Sequence, residues 1–323
     1  MTTSVAIAIA TRGRPKMFRD CLQSLARMQL PAETALTFLL VENDKTLTIA
    51  PLAEELANLM GDAHRVEALL ESEAGIPFAR NKALDRAQDL NCDWLIYIDD
   101  DEEVDTDWLV ALMRGAQQQQ FDLAAGPVEQ LAPEGALAKS EQAVFDYFIS
   151  EGQRRRKIRE SRLHSGQADR NDIATNNWIG RLSAFRAANL RFDEGMRYTG
   201  GSDTDLSRRA KAAGLKIGWV PDAIVREVIP QSRLTYRYVY DRSRSQTLAK
   251  YHIRYRKQGR HPVVKPLLDA FVKAVVGGVR LLIGLTGNTR MRIKAMRTLG
   301  VAMGWTQGAL GAQSQLYRKI QGG

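Results

Sequence analysis

The sequence predicts an α/β protein whose central sheet is mostly parallel and flanked by helices, followed by a basic helical extension. Short apolar segments alternate with helical patterns in the first half of the chain, and several of them end directly in polar or acidic residues. Alternation at this spacing is typical of βαβ units. After residue 230 the pattern becomes helical and basic. We therefore expect an α/β domain over residues 1–230 and a basic amphipathic helical region over residues 231–323.

Strands are expected where short apolar runs lie between turn signals, and helices where apolar residues recur at helical spacing. The leading strands are predicted over residues 5–10, 35–41, 66–70 and 94–98, and the helices between them over 16–28, 52–60 and 77–90. Later strands are predicted over residues 123–127 and 178–185. Residues 150–172 are rich in Arg and poor in apolar positions, so we expect a mobile or poorly ordered loop there.

The composition is that of an ordinary globular protein in a reducing compartment. A chain of 323 residues with 44% hydrophobic residues can bury a large core. Cys21 and Cys92 are the two cysteines, which allow neither a disulfide framework nor a zinc-binding pattern. The apolar stretch over residues 5–10 is short and runs straight into Thr11 and Arg12, so we interpret it as a strand and not as a signal peptide.

The net charge of +9 is divided unevenly along the chain. Residues 231–323 hold 18 Lys and Arg and two acids, a net charge of +16. Residues 1–230 hold 28 basic and 35 acidic residues, a net charge of −7. A basic segment on an acidic body predicts an anionic partner for that segment, either nucleic acid or an anionic membrane surface.

The most apolar stretch, residues 263–285, is a poor candidate for a membrane-spanning helix because charged residues interrupt it. At helical spacing its large apolar residues fall near one face, while two basic residues fall on another. This pattern is typical of a helix lying in a membrane interface, and an ordinary helix packed on the first domain would also produce it. The charged residues are Lys265, Asp269, Lys273 and Arg280, and the apolar face comprises Leu267, Phe271, Val275, Leu282 and Leu285.

Residues 99–102 are all acidic and directly follow the predicted strand over residues 94–98. Unpaired charges are too costly to bury, so the strand must end there and present its carboxylates in a polar cleft. Ligands of open α/β sheets bind beyond the carboxyl ends of the strands. Clustered carboxylates at that place suit a hard divalent cation together with a phosphate group. The alternative is a solvated acidic loop without a ligand.

Three further segments predict contacts with a nucleotide. The first strand runs into a polar turn with Gly13 before a helix, where backbone groups and a helix N-terminus can hold a phosphate. Glu42 ends the second strand and can accept hydrogen bonds from a base or a ribose, or it caps a loop. Gly75 and Pro77 begin a helix that carries Arg80, which can reach a diphosphate or form a surface ion pair.

Asp203 follows Gly200 and Gly201 and stands at the start of a helical pattern that stops at Gly214. A carboxylate at a helix N-terminus is held ionised by the helix dipole and by free backbone N–H groups. This environment suits a general base, which must remain deprotonated. It also suits an N-cap residue with no chemical role.

In chain order, five segments resemble those of family 2 glycosyltransferases with the GT-A fold, over about residues 4–230. They are residues 9–14 (IATRGR), 41–44 (VEND), 75–81 (GIPFARN), 97–102 (YIDDDE) and 200–206 (GGSDTDL). The later stretch, residues 225–242, is similar to the bacterial exopolysaccharide branch, such as succinoglycan glucosyltransferases. The resemblance implies an inverting transfer of a sugar from a nucleotide sugar, most often UDP-linked, to a hydroxyl of a glycan or lipid-linked acceptor.

The resemblance implies specific roles for the acids. Asp99 and Asp101 match the DxD motif that holds Mn²⁺ or Mg²⁺ on the diphosphate, and Asp100 is expected to face the ribose or the sugar. Asp203 matches the catalytic base, which removes a proton from the acceptor hydroxyl as that hydroxyl attacks the anomeric carbon. Because the cation offsets the charge on the departing diphosphate, the leaving group needs no acid.

The remaining implied contacts are with the donor. The resemblance places Thr11, Arg12 and Glu42 around the base and ribose, and Arg80 near the diphosphate or the sugar. The expected partners are therefore a nucleotide-sugar donor and a glycan or polyprenyl-linked acceptor, with residues 231–323 on an anionic membrane surface. We expect a cytoplasmic protein held peripherally on the inner face of the cytoplasmic membrane.

Two positions depart from the family pattern. The usual Glu-Asp pair at the base motif is Ser202-Asp203 here, so Asp205 is a candidate to share the work of the missing carboxylate. Many relatives carry a metal-binding His after the last core strand, where this chain has Glu227. Either Glu227 replaces that ligand, or metal binding rests on the DxD motif.

Two other classes of function remain open at this stage. A metal-dependent nucleotidyltransferase would use a similar sheet and similar carboxylates, but the turn over residues 10–15 has one Gly and no Lys, unlike the Gly-rich, Lys-containing loop of that class. A nucleic-acid binder would explain the basic segment, but the acidic cleft disfavours a polyanion over the main body. We expect no nucleic-acid partner.

Overall fold

The computed structural model describes residues 2–171, 173–197 and 200–312, with no account of the Arg256 side chain. Ten strands lie in the described residues. They are β1 (Thr3–Thr11), β2 (Thr34–Glu42), β3 (Arg65–Leu70), β4 (Trp94–Asp99), β5 (Glu102–Val104), β6 (Leu123–Ala125), β7 (Val128–Leu131), β8 (Trp178–Arg181), β9 (Ile217–Trp219) and β10 (Val225–Val228). The central strands β1, β2 and β4 of the main sheet are mostly buried on both faces, as parallel strands covered by helices must be.

The ten α-helices of the described residues connect or follow these strands. They are α1 (Pro15–Ala26), α2 (Ala50–Met60), α3 (Ile76–Asp89), α4 (Trp108–Gln118), α5 (Lys139–His164), α6 (Leu182–Ala187), α7 (Ser202–Ala212), α8 (Tyr236–Arg254), α9 (Val264–Leu285) and α10 (Thr289–Ala309). The four leading predicted strands and the three predicted helices between them agree with β1 to β4 and α1 to α3 within two residues at every end.

Seven strands form one sheet in the order β3-β2-β1-β4-β8-β6-β9. β1 pairs in parallel with β2 and β4, β2 pairs in parallel with β3, and β6 pairs in parallel with β9. β8 runs antiparallel between β4 and β6. A second sheet has the order β5-β10-β7. The predicted α/β class with a mostly parallel central sheet is confirmed.

Alternate residues of the central strands feed two separate hydrophobic cores. On β1, Val5, Ile7 and Ile9 pack into the core that includes α1, α2 and α4. Ala6 and Ala8 point the other way and pack with α3, α7 and β8. Successive side chains of a strand point to opposite faces, so both faces of β1 must be apolar. An acidic side chain would be buried without a partner on either face, so acids are expected only beyond the strand's carboxyl end.

The prediction of a loop over residues 150–172 is wrong, because α5 continues through most of this segment to His164. Residue 172 itself lies outside the described residues. Ion pairs and stacking add to apolar packing along this part of the helix: Arg156 contacts Glu129 at 2.6 Å and Glu160 at 2.8 Å, and the Arg159 guanidinium lies 4.6 Å from the ring centroid of Trp219. A lack of apolar residues was therefore mistaken for a lack of order.

The strand predicted over residues 178–185 is half correct. β8 ends at Arg181, and α6 begins at Leu182, whose N–H donates to the Asp93 carbonyl at 2.9 Å. Leu182 and Phe185 are buried like the strand residues before them. A short apolar run of this length does not distinguish a strand from a buried helix segment by periodicity.

The described part of the basic region, residues 231–312, is helical, and its last eleven residues lie outside the description. α10 packs along both α8 and α9. A Cβ at Gly300 would lie 2.4 Å from the Tyr240 carbonyl, and one at Gly304 would lie 2.5 Å from the Arg244 carbonyl. Glycine at these positions therefore allows α10 to approach the α8 backbone closely. A third core joins α5, α8 and α10 through Val144, Val239 and Ile293.

α9 leaves a broad apolar face exposed. No described helix combines the length and the apolar character that crossing a bilayer requires. Leu267, predicted on the exposed face, is half-buried beside Ala302 of α10, whereas Phe271 is 68% exposed. The exposed apolar residues of this helix are Val264, Leu268, Phe271, Val272, Val275, Val276, Val279, Leu282, Ile283 and Leu285.

Candidate functional site

The carboxyl ends of β1 and β4 open into a cleft of about 1500 Å³. One wall comes from the turn after β1 and from the start of α3, and the opposite wall comes from α5, α8 and α10. The start of α7 also faces the cleft. The predicted site residues that line it are Thr11, Arg12, Arg80, Asp99, Asp100, Asp101 and Asp203, together with Glu227.

Asp100 forms the centre of a polar network at the end of β4. The Thr11 hydroxyl donates to its Oδ2 at 2.6 Å, and Arg14 Nη1 donates to its Oδ1 at 3.0 Å. Burial raises the pKa of Asp100, while Arg14 and the Thr11 hydrogen bond oppose that rise. Arg14 also contacts Asp101 at 3.5 Å. Sequence reasoning missed Arg14, although it stands in the same turn as Thr11.

Asp99 faces the cleft from the last position of β4, with 46% of its side chain exposed. Arg80, which is itself buried, reaches its Oδ1 at 3.5 Å. Desolvation by the surrounding protein raises the pKa of Asp99 to about 7. Arg80 lowers this pKa, and the charges of Asp101, Asp100 and Glu227 raise it. These acids are close enough to disfavour one another's ionisation, so a cation between them would be stabilising.

Two further acids support this group from the second sheet. Glu102 is buried, and its Oε2 accepts the Asp99 N–H at 2.9 Å. It stands directly opposite Glu227 in the antiparallel pair of β5 and β10. Burial raises the pKa of Glu227 and Asp101 raises it further, while Arg233, which donates to Glu227 at 3.0 Å, lowers it. The carboxyl groups of Glu227 and Asp101 therefore interact electrostatically.

The donor set at this place fits a hard divalent cation. Asp99 and Asp101 offer carboxylate oxygens at the open cleft, and Mg²⁺ is usually bound by one or two carboxylates together with substrate phosphates. Within residues 2–171, 173–197 and 200–312 no group of three or more His, Cys, Asp or Glu is arranged as a complete metal site. A cation here would therefore depend on oxygens that a ligand brings.

Asp203 stands in the first turn of α7 and lines the cleft. The helix begins after Gly201, whose φ of +82° is in the left-handed region. A Cβ at Gly201 would also lie 2.9 Å from Ile253, so glycine satisfies both the backbone conformation and the packing. Asp203 Oδ1 accepts the Thr204 N–H at 2.7 Å. This contact leaves the other carboxylate oxygen available for a proton from a ligand.

Asp205 is not placed to share the work of Asp203. It is buried two residues further along α7, where it contacts Arg209 at 2.9 Å and Lys257 at 2.6 Å, and it does not line the cleft. Successive positions of a helix point about 100° apart, so two residues along the chain turn the side chain away from the cleft. Asp205 therefore does not replace the carboxylate that Ser202 lacks at the position before Asp203.

Glu42 likewise lies outside the cleft lining. Its carboxylate accepts the Thr48 hydroxyl at 2.6 Å and the Ile49 N–H at 3.1 Å, so it caps the turn before α2. The next residue, Asn43, lines the cleft in its place and accepts the Gly75 N–H at 2.8 Å. Arg12 remains at the cleft, 3.8 Å from Asp44.

Comparisons with known proteins agree with this architecture. A model of the glycosyltransferase-like family 2 matches residues 3–248. The succinoglycan biosynthesis protein ExoM of Rhizobium meliloti (strain 1021) is 29% identical over 247 residues, which are 75% of this chain and 72% of ExoM.

The fold also resembles that of TarS from S. aureus. Its structure over residues 1–349, in complex with UDP, is matched at a TM-score of 0.50 and 15% identity, covering 93% of this chain and 90% of that one. Another S. aureus TarS structure is matched at a TM-score of 0.49, and this chain covers 55% of its length. At this level of identity the similarity concerns the fold alone.

Proposed function

The chain belongs to the glycosyltransferase-like family 2, and from this we propose that it transfers a sugar, with inversion, from a nucleotide sugar to a hydroxyl group. The expected donor is a UDP-hexose, and the expected acceptor is a glycan or a lipid-linked glycan. The observation that carries the proposal is that Asp99, Asp101 and Asp203 line one cleft. The name of the similar protein ExoM supports a role in making a surface polysaccharide.

We assign the proton transfer to Asp203. It accepts the proton of the acceptor hydroxyl while that oxygen attacks the anomeric carbon, and the bond to the diphosphate breaks on the opposite side. One displacement with one base inverts the anomeric configuration. A Mn²⁺ or Mg²⁺ ion held by Asp99 and Asp101 would supply charge neutralisation for the departing diphosphate.

The donor side of the proposal uses the wall formed by β1 and α3. Thr11, Arg14 and Asp100 hold one another in place, and we propose that Asp100 and the neighbouring Arg12 face the ribose and base. Arg80, buried against Asp99, offers its guanidinium to the diphosphate or sugar. Glu42 then acts indirectly, by fixing the turn beside Asn43.

A panel of UDP- and GDP-sugars tests the proposed function. We expect hydrolysis or transfer with one of them, dependent on Mn²⁺ or Mg²⁺ and lost with a chelator. The panel is scored by the nucleotide that is released. Activity with nucleoside triphosphates and release of pyrophosphate would favour the nucleotidyltransferase, and no turnover with any donor would contradict the proposal.

For the basic region we propose attachment to the inner, cytoplasmic face of the membrane. The exposed surface of α9 is largely apolar, with Phe271 68% and Leu282 67% exposed. Exposed Lys265 and Lys273 on the same helix can meet anionic headgroups, and residues 231–323 carry a net charge of +16. An interfacial position would cover the apolar face while leaving these ammonium groups at the headgroups.

Replacing Phe271 and Val275 by serine is expected to weaken binding to anionic phospholipid vesicles at least about tenfold, since burying one such side chain contributes about 1.5–3 kcal/mol. Co-sedimentation of the full chain measures this. Leu59→Ser on α2, also an exposed apolar residue, is the matched control and should bind like the unmodified protein. Unchanged vesicle binding of the double variant, or preference for RNA or DNA over vesicles at physiological salt, would contradict the attachment.

A further inference from the structure

The wall of the cleft opposite the nucleotide side is rich in arginine, and three of its arginines come from three different helices. Arg155 of α5, Arg242 of α8 and Arg297 of α10 all line the cleft. We infer that this arginine cluster binds the diphosphate group of a lipid-linked acceptor. The inference rests on the proposed sugar transfer and names the chemistry by which its acceptor is recognised.

The three guanidinium groups are close enough to affect one another. Arg155 is exposed at the cleft wall. Desolvation by the neighbouring protein lowers its pKa, and the charges of Arg242 and Arg297 lower it further. Such a lowering means that the folded protein holds like charges together at a cost. An oxyanion bound between them would remove that cost, and arginine side chains present paired N–H groups that match phosphate oxygens.

The cluster is held mainly by contacts that do not neutralise it. Arg242 lies 5.7 Å from the ring centroid of Phe148, and Arg297 donates to the Tyr147 hydroxyl at 3.1 Å. Arg297 also contacts Glu151 at 3.2 Å, but Arg154 shares that carboxylate at 3.3 Å. Among the residues that the structure describes, neither Arg155 nor Arg242 has a carboxylate within ion-pair distance. Positive charge therefore remains for a ligand.

The cluster lies beside the acidic centre and apart from the nucleotide turn. Arg242 lines the same cleft as Glu227 and Asp101, and Arg233, which directly precedes α8, contacts Glu227 at 3.0 Å, so α8 borders the acidic group. The donor contacts come instead from β1, β4 and α3. An anion at the cluster thus belongs to a second ligand that approaches the reaction centre from the α5 and α8 side.

The neighbouring helices favour a lipid-borne diphosphate over a free one. Arg297 stands on α10, and the same helix packs along α9, which carries the exposed apolar face. A lipid-linked acceptor has its diphosphate between an apolar chain and the sugars. That order matches an apolar helix, then an arginine cluster, then the acidic centre.

Equilibrium dialysis of labelled farnesyl diphosphate against the full chain, saturated with UDP, tests the inference. We expect Arg155→Gln and Arg242→Gln each to weaken this binding about tenfold, because each variant loses a charge-assisted hydrogen bond to the diphosphate. The affinity of each variant for UDP should stay within about twofold of the unmodified protein, because neither arginine is assigned to the nucleotide. Lys157→Gln removes one charge from an exposed position of α5 outside the cleft lining and should leave both affinities unchanged.

Three results would overturn the inference. The first is that excess UDP displaces farnesyl diphosphate, or that the arginine variants lose UDP equally, which would make the cluster part of the donor site. The second is that farnesol binds as tightly as its diphosphate. The third is that inorganic diphosphate binds but farnesyl diphosphate does not, which would exclude a lipid source. Hydrolysis of a nucleotide sugar in the same preparation separates this failure from failure of the proposed function.

Discussion

Replacing Asp203 by asparagine is expected to lower the rate of sugar transfer about 10²- to 10⁴-fold, the contribution typical of a positioned general base. Asparagine keeps the size of the side chain and can still accept the Thr204 N–H, so the start of α7 should persist. It cannot take the proton of the acceptor hydroxyl. The affinity for UDP should change little, because no nucleotide contact is assigned to Asp203.

The measurement is transfer at saturating donor, with UDP affinity by calorimetry and the thermal unfolding midpoint recorded for the same sample. Asp222→Asn, an exposed acid at a loop outside the cleft lining, is the control. If Asp203 serves only to begin the helix, its replacement will lower the unfolding midpoint and leave turnover in the folded fraction intact. That outcome would remove Asp203 as the base.

Asp101→Asn is expected to reduce kcat/KM for the donor at least about a hundredfold, since a cation on a transferring group supplies several kcal/mol. This reduction in kcat/KM should come from weaker metal-dependent binding of the donor. In Mn²⁺ the variant should bind UDP more weakly than the unmodified protein, and in chelator the two should bind alike. The difference arises because Asp101 faces the cleft beside Asp99, where a cation would meet the diphosphate.

Glu103→Gln provides the matched control for Asp101. Glu103 is the exposed middle residue of β5, two positions along the chain, and it points away from the cleft. Its replacement removes one carboxylate from the same acidic segment and should leave the metal dependence unchanged. Equal metal-dependent UDP affinity in Asp101→Asn and the unmodified protein would contradict the assignment of Asp101 as a ligand.

The parts of the site that depend on strand ends could be predicted from sequence. β4 is apolar until Asp99 because both faces of the strand are buried, and the first acid marks where the cleft begins. The position of Asp203 at a helix start could be predicted for a similar local reason, since the paired glycines before it indicate a turn with positive φ, which glycine adopts easily.

The parts of the site that depend on long-range packing could not be predicted from sequence. Whether Glu42 or Asn43 faces the cleft depends on the turn over residues 48–49, which donates hydrogen bonds to the Glu42 carboxylate. The arginine cluster comes from three helices that are distant in sequence, so its members meet only in the folded chain. The second half of α5 was missed because its contacts include ion pairs of Arg156 with Glu129 and Glu160, which do not follow the apolar period of a helix.

The most direct test of the central claim is the identity of the two products from one active donor. The nucleotide released is determined by chromatography, and the anomeric configuration of the new glycoside is determined by NMR. From an α-linked UDP-sugar the account predicts UDP and a β-glycoside, the result of one displacement assisted by one base. UMP or pyrophosphate as the leaving product, or an α-glycoside, would contradict it.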